Sequence, residues 1–135
     1  MPYRDPRDPH NREVINANAR KRRRDNPEKA KAKSKRDNRS PHGRYNTLKC
    51  MAKIRGLVVD ISYDEYLYTV SEPCYYCGGV LPETGHGVDR INSAFGYLVG
   101  NVRPCCTKCN QAKWDMTESE FKEWSLRLFN HWSSK

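Results

Sequence analysis

Cys74-Tyr75-Tyr76-Cys77-Gly78-Gly79, answered downstream by Cys105-Cys106-Thr107-Lys108-Cys109-Asn110, is the stretch on which the fold turns. It contains two C-x-x-C pairs, Cys74/Cys77 and Cys106/Cys109. Each pair puts two sulfurs on one side of a tight turn. Two such knuckles close a tetrahedron around Zn²⁺ with bonds of about 2.3 Å. Gly78 and Gly79 permit the turn that brings backbone amides toward the sulfurs. Cys106 keeps the two-residue spacing, so Cys105 is left as a neighbour. Cys50 reads as a structural thiol at the edge of a buried helix face. The plainer alternative is four thiols with no metal. A redox pair is disfavoured because no thioredoxin-like strand pattern accompanies it. Four thiolates saturate zinc and leave no position for water, so any chemistry lies between or beside the knuckles.

The knuckles are separated by 28 residues, against roughly 15–20 in a simple zinc ribbon. Within that gap, Val88–Ile91 and Tyr97–Val99 alternate like two short strands, with Asn92, Ser93 and Gly96 turning between them. Upstream, residues 44–55 predict a helix with Leu48, Met51, Ala52 and Arg55 on one face, closed by Gly56. Ser62 and Glu65 form a capping box for a helix to about Val70, with Tyr66, Leu67 and Val70 inward. Thr117 and Glu120 form another. After it Phe121, Trp124, Leu128 and Trp132 recur at helical spacing, a stripe that predicts core packing.

Charge divides the chain differently. Residues 1–45 carry 15 Lys/Arg against 6 Asp/Glu, which accounts for the whole net charge of +9, while the remaining 10 of each sign cancel. The cysteines, tryptophans and phenylalanines all fall in the second part. We therefore read 1–43 as a basic arm, disordered alone or helical, and 44–135 as the folding domain, with Pro41-His42-Gly43 as the hinge. The arm lacks apolar surface to offset its chain entropy. Its runs Arg20, Lys21, Arg22, Arg23, Arg24 and Lys31, Lys33, Lys35, Arg36 suit phosphate binding with counterion release. A solvated tail is the bland alternative. A membrane surface is disfavoured because no apolar face accompanies the charges. The opening MPYRDPRDPH has no apolar core, so a secretory leader is not expected, and no stretch is long enough to span a bilayer. The expected compartment is a reducing cytoplasm, where clustered cysteines more often hold metal.

The sequence resembles the HNH (His-Me finger, ββα-metal) endonucleases, in the zinc-stabilised form seen in small phage-encoded and resolvase-type nucleases. The matching elements are Cys74-x-x-Cys77-Gly78-Gly79, Val88-Asp89-Arg90-Ile91-Asn92, Gly96-Tyr97, Asn101-Val102 and Cys106-x-x-Cys109-Asn110-x-x-Lys113. Helix 44–55 and Met116–Trp124 also look like that group, so the resemblance covers roughly residues 45–125. It implies an α+β fold, a small zinc-stabilised ββα-metal finger flanked by helices. It also implies a second, catalytic divalent cation, Mg²⁺ or Mn²⁺, on Asp89 and Asn110, with Asn101 holding the loop and Arg103 and Lys113 on substrate phosphate. Hard oxygen ligands at low count suit Mg²⁺.

One departure from the family pattern is chemically large. The family's general base is a histidine directly after the metal-binding acid, and here that residue is Arg90. A guanidinium stays protonated and accepts no proton at neutral pH. Three roles fit. Arg90 clamps the phosphate, or His86 in the turn Gly85-His86-Gly87 reaches in as base, or the finger binds without cutting. His86 is otherwise an exposed loop residue, Asp89 a turn-capping acid and Asn110 a helix-terminus residue. The resemblance thus implies a metal-dependent endonuclease that hydrolyses DNA phosphodiester bonds. The alternative is a non-catalytic zinc module that binds DNA as an adaptor. An RNA-binding zinc protein fits the arm but leaves the Asp89-Arg90…Asn101…Asn110 frame unexplained.

Overall fold

The computed structural model describes residue 5 and residues 7–135. Residues 1–4 and 6, part of the N-terminus read above for a leader, lie outside them. Among the described residues the fold is α+β, with helices α1 (Pro9–Asp25), α2 (Pro27–Arg39), α3 (Pro41–Ile54), α4 (Tyr63–Ser71), α5 (Thr107–Lys113) and α6 (Glu118–Ser133). Strands β1 (Val88–Arg90) and β2 (Val102–Pro104) lie between α4 and α5. The chain falls into two compact units that divide between Asn38 and Arg39.

The first unit is helical by local signals alone. Asp8 caps α1, accepting from the His10 N–H at 2.9 Å, with Pro9 in the first turn. Arg22, Arg23 and Arg24 end that helix, where cations suit the negative pole of its dipole. Asn26 accepts from the Lys29 N–H at 3.1 Å at the start of α2. Neither helix buries a residue. The basic positions from Arg20 to Arg24 and from Lys31 to Arg36 are all exposed.

The second unit has a core of Tyr45, Leu48, Ala52, Ile61, Tyr66, Val88 and Tyr97. Ser40 caps α3 and Pro41 opens it, so the punctuation at Pro41-His42-Gly43 is the first turn of a helix. The face α3 buries is Arg44, Tyr45, Leu48 and Ala52. Met51 and Arg55 lie outside it, contrary to the sequence reading. Cys50 is exposed as well. It stands about 200° around the helix from Leu48, given some 100° per residue, and so points away from the core. The Ser62/Glu65 and Thr117/Glu120 capping boxes are both formed.

The second strand is not Tyr97–Val99. Antiparallel pairing joins β1 to residues 102–104, in the register Val88↔Pro104, Asp89↔Arg103 and Arg90↔Val102. Tyr97 is taken instead by the segment after α3, in a parallel bridge with Val59. The Tyr97 N–H donates to Val58 O at 2.8 Å, and the Asp60 N–H donates to Tyr97 O at 2.9 Å. Gly96 makes this approach possible, since a Cβ there would lie 2.2 Å from Val58 O. The alternation at 97–99 is real, but one bridge and the core consume it.

The aromatic stripe on α6 is core at one end only. Phe121 is buried against Tyr76, their ring centroids 5.3 Å apart. Leu128, Phe129 and Trp132 are exposed, because the helix runs on past the residues that cover its first turns. Among the described residues no helix is long and apolar enough to cross a membrane.

Candidate metal centre and buried acid

The first knuckle is a turn closed at both ends. Cys74 N–H donates to Gly79 O at 2.8 Å, and Gly78 N–H to Cys74 O at 2.9 Å, with Gly78 at φ +70°. The second knuckle opens α5. Cys106 is its N-cap, and the Cys106 sulfur accepts from the Cys109 N–H at 3.4 Å. The four sulfurs of Cys74, Cys77, Cys106 and Cys109 lie within 4.8 Å of one another. The Cys77 and Cys106 sulfurs are 3.8 Å apart. That equals the edge of about 3.8 Å expected for a tetrahedron with metal–sulfur bonds of about 2.3 Å. The site can hold a metal ion such as zinc. Burial pushes the Cys74 thiol up, but backbone donors from Cys106, Cys77 and Tyr76 outweigh it and bring the group down to about 6. Cys105 is buried with its thiol pushed up by desolvation, and its N–H donates to Gly87 O at 3.0 Å.

Beside the knuckles lies a buried acid, Asp89. Asp89 is the middle residue of β1, and its side chain is only 8% exposed. The Tyr76 hydroxyl, from inside the first knuckle, donates to Asp89 Oδ2 at 2.5 Å. Burial raises the Tyr76 pKa and the bond to Asp89 raises it further, so this phenol stays protonated. The Lys113 ammonium, from the last turn of α5, lies 3.3 Å from Asp89 Oδ2 and 3.5 Å from Oδ1. The Lys113 side chain is 4% exposed. Removing one partner of such a buried pair costs about 3–5 kcal/mol, since the other charge is stranded. Asn110 precedes Lys113 by three residues on α5 and so shares its helix face. Asp89 and Asn110 offer oxygen donors of the hard type that suits Mg²⁺ or Mn²⁺. The Asp89 carboxylate, the charged member of the two, is matched to Lys113.

Three of the remaining residues singled out from the sequence, Asn101, Arg90 and Arg103, hold the frame around this carboxylate. Asn101 is a loop pin: its Oδ1 accepts from the Asn92 N–H at 2.9 Å, while Nδ2 donates to Asn92 O at 3.1 Å and Gly96 O at 2.8 Å. Arg90 donates to Ser93 O at 2.7 Å and Phe95 O at 2.9 Å, across the same loop. Arg103, cross-strand from Asp89, is buried, pairs with Glu118 at 3.1 Å and lies over the Tyr75 ring at 4.1 Å. Arg103 therefore tethers α6 to the finger. His86 is half-buried between β1 and the core, with its ring edge-on to Tyr97. Desolvation, then the charges of Arg55 and Arg44, lower its pKa to about 4. The arm residues Arg20 to Arg24, Lys31, Lys33, Lys35 and Arg36 belong to the first unit, where all are exposed. Sequence reasoning gave Tyr76 no role. Its position inside C-x-x-C was the available signal, since a residue there is carried wherever the metal goes.

No family model matches the chain. A solved structure with 23% identity aligns with a TM-score of 0.54, covering 70% of this chain and 80% of its own. It is that of the rare-cutting HNH restriction endonuclease PacI. The fold is HNH-like. In this chain β1, β2 and α5 follow one another as two strands and a helix, and Cys106 and Cys109 of the sulfur cluster lie at the start of α5. An uncharacterized protein of Acanthamoeba polyphaga mimivirus, R423, is 30% identical over 105 residues. The alignment takes in 78% of this chain and 20% of the viral protein, so the chain spans about a fifth of the length of this curated relative.

Proposed function

We propose that this chain is a zinc-organised, divalent-metal-dependent endonuclease that hydrolyses DNA phosphodiester bonds. The observation that carries the reading is the buried Asp89 carboxylate on β1, faced by Lys113 and accompanied by Asn110 on α5. The HNH-like likeness supports it. Zinc on the four cysteines serves the scaffold. A divalent cation at Asp89 and Asn110 would supply charge stabilisation for the phosphate and the leaving 3′ oxygen. Lys113 offers a second positive charge for a phosphate oxygen. Asn101 and Arg90 keep the 91–96 loop in place around the strand ends. His86 is neutral at pH 7, but a pKa of about 4 is poorly matched to a base acting near neutrality. The exposed cations of α1 and α2 supply affinity that is largely independent of sequence.

The second reading, a finger that binds DNA without cutting it, is favoured by Arg90. Its guanidinium is spent on loop carbonyls and cannot take a proton. Plasmid nicking by zinc-loaded protein separates the two. Nicking with Mg²⁺ or Mn²⁺, abolished by EDTA and by Asp89→Ala, is the expected result. Retained DNA binding with no nicking under any divalent ion would establish the adaptor instead.

A further inference from the structure

The two helices of the first unit share a sign of charge and differ in chemistry. α2 carries Lys29, Lys31, Lys33 and Lys35 at every second position, which sends ammonium groups to opposite sides of the helix. An ammonium is a point charge, suited to phosphate and blind to base identity. α1 is built otherwise. Arg12, Asn16 and Arg20 are spaced by four, with Glu13 and Ala17 beside them at the same spacing, so all five share one face. A groove of about 450 Å³ opens on that face, lined by these five and Arg7. All five are exposed, and among the described residues none of the four polar ones has its side chain in an ion pair or a hydrogen bond.

We propose that this face of α1 reads base edges in the major groove of duplex DNA. It selects sequence, while the cations at 21–24 and on α2 hold phosphate. The proposal rests on the reading that the chain binds DNA, and it adds which residues choose the DNA.

Phosphate binding alone does not account for the face. Glu13 would repel a phosphate, and Asn16 and Ala17 release no counterion. The same residue types are the ones that tell bases apart. Arg takes guanine O6 and N7 in a bidentate fork, Asn takes adenine N6 and N7, Glu accepts from cytosine N4, and the Ala methyl meets the thymine methyl. The helix also has the shape. An α-helix with its side chains is about 10–12 Å across, and the major groove is about 12 Å wide. α1 buries no residue. A polar helix that packs on nothing is marginal in water, and an anionic groove would supply the missing partner. The deep, narrow major groove of A-form RNA does not admit side chains, which favours DNA.

The test is selection of duplexes from a random-sequence pool by the zinc-loaded full chain, with no other divalent cation added. Wild type is expected to enrich one sequence. Asn16→Ala is expected to lose about tenfold in discrimination at one adenine. Arg20→Ala should do the same at a guanine about two base pairs away, since four helical residues rise about 6 Å against about 3.4 Å per base pair. Alanine is the best helix former, so a loss of selectivity in Asn16→Ala would not reflect a lost helix. Arg22→Ala, two positions off the face, is expected to weaken binding to all sequences alike and to leave the enriched sequence unchanged. An enriched sequence indifferent to both Asn16→Ala and Arg20→Ala would overturn the proposal. So would no enrichment at all, or tighter binding to an RNA hairpin than to any duplex. Nicking of the selected duplex with Mg²⁺ is read separately. Selection through Asn16 without any cutting supports the proposal and refutes the nuclease reading, whereas cutting with selection indifferent to Asn16 overturns the proposal alone.

Discussion

The two units of this chain reach ordered structure by opposite routes. The first has 17-residue and 13-residue helices and buries nothing. The second builds its finger from strands of three residues each and a helix of seven. Element length is therefore a poor guide to where stability resides. The long helices rest on caps, propensity and exposed ion pairs such as Lys33–Asp37, which are individually worth about 0–1 kcal/mol. The short elements cannot stand alone and are fixed by the sulfur cluster and by the core of Tyr45, Leu48, Tyr66 and Val88. One unit spreads charge and the other concentrates constraint.

That contrast can be broken most sharply at the cluster. Cys77→Ser should unfold the second unit outright, because a structural zinc site contributes about 10–16 kcal/mol of apparent binding energy in small domains. Circular dichroism with zinc quantified would show loss of the finger. A folded variant holding no zinc would mean that the core alone suffices.

A smaller effect is expected from acid. The unfolded His86 takes up a proton below about 6.5, while the folded residue stays neutral down to about 4. Its contribution is thus present above pH 6.5 and is lost as pH falls toward 4, about 3 kcal/mol over the window. His86→Asn should flatten the fall of urea-unfolding stability between pH 6.5 and 4, measured with zinc in excess. Identical slopes in the two proteins would remove His86 from the account.

The smallest effect on the second unit should come from removing the first. Deleting residues 1–38 spares Ser40, the cap of α3, and should leave the thermal midpoint of the finger unchanged. The same deletion should flatten the salt dependence of DNA affinity by about 0.9 in log–log slope for each phosphate that is no longer neutralised. An unchanged slope would assign phosphate binding to the finger.

What could be read in the sequence was local. Both capping boxes and both C-x-x-C knuckles are encoded within four residues, and each forms as its spacing implies. What could not be read depended on partners far along the chain. Alternation at Tyr97–Val99 does not say whether β1 or Val59 is the partner, and that choice rests on Gly96 admitting a backbone. The α6 stripe does not say where its cover ends. Asp89 could be picked out by its motif, but not that Tyr76 and Lys113 would meet its carboxylate, since those contacts span 13 and 24 residues.

The 28 residues between Cys77 and Cys106 are pinned at both ends by the same cluster, and Val80, just inside the first pin, is almost wholly exposed. Lengthening a loop whose ends are already held adds only about 0.6 kcal/mol per doubling. The segment from Val80 to Glu83, ahead of the Thr84 and Gly85 carbonyls that Thr107 and Arg44 hold, is thus a place where insertions can accumulate without disturbing the finger. A lineage carrying this fold can acquire new recognition loops there while Asp89 and α5 stay where they are.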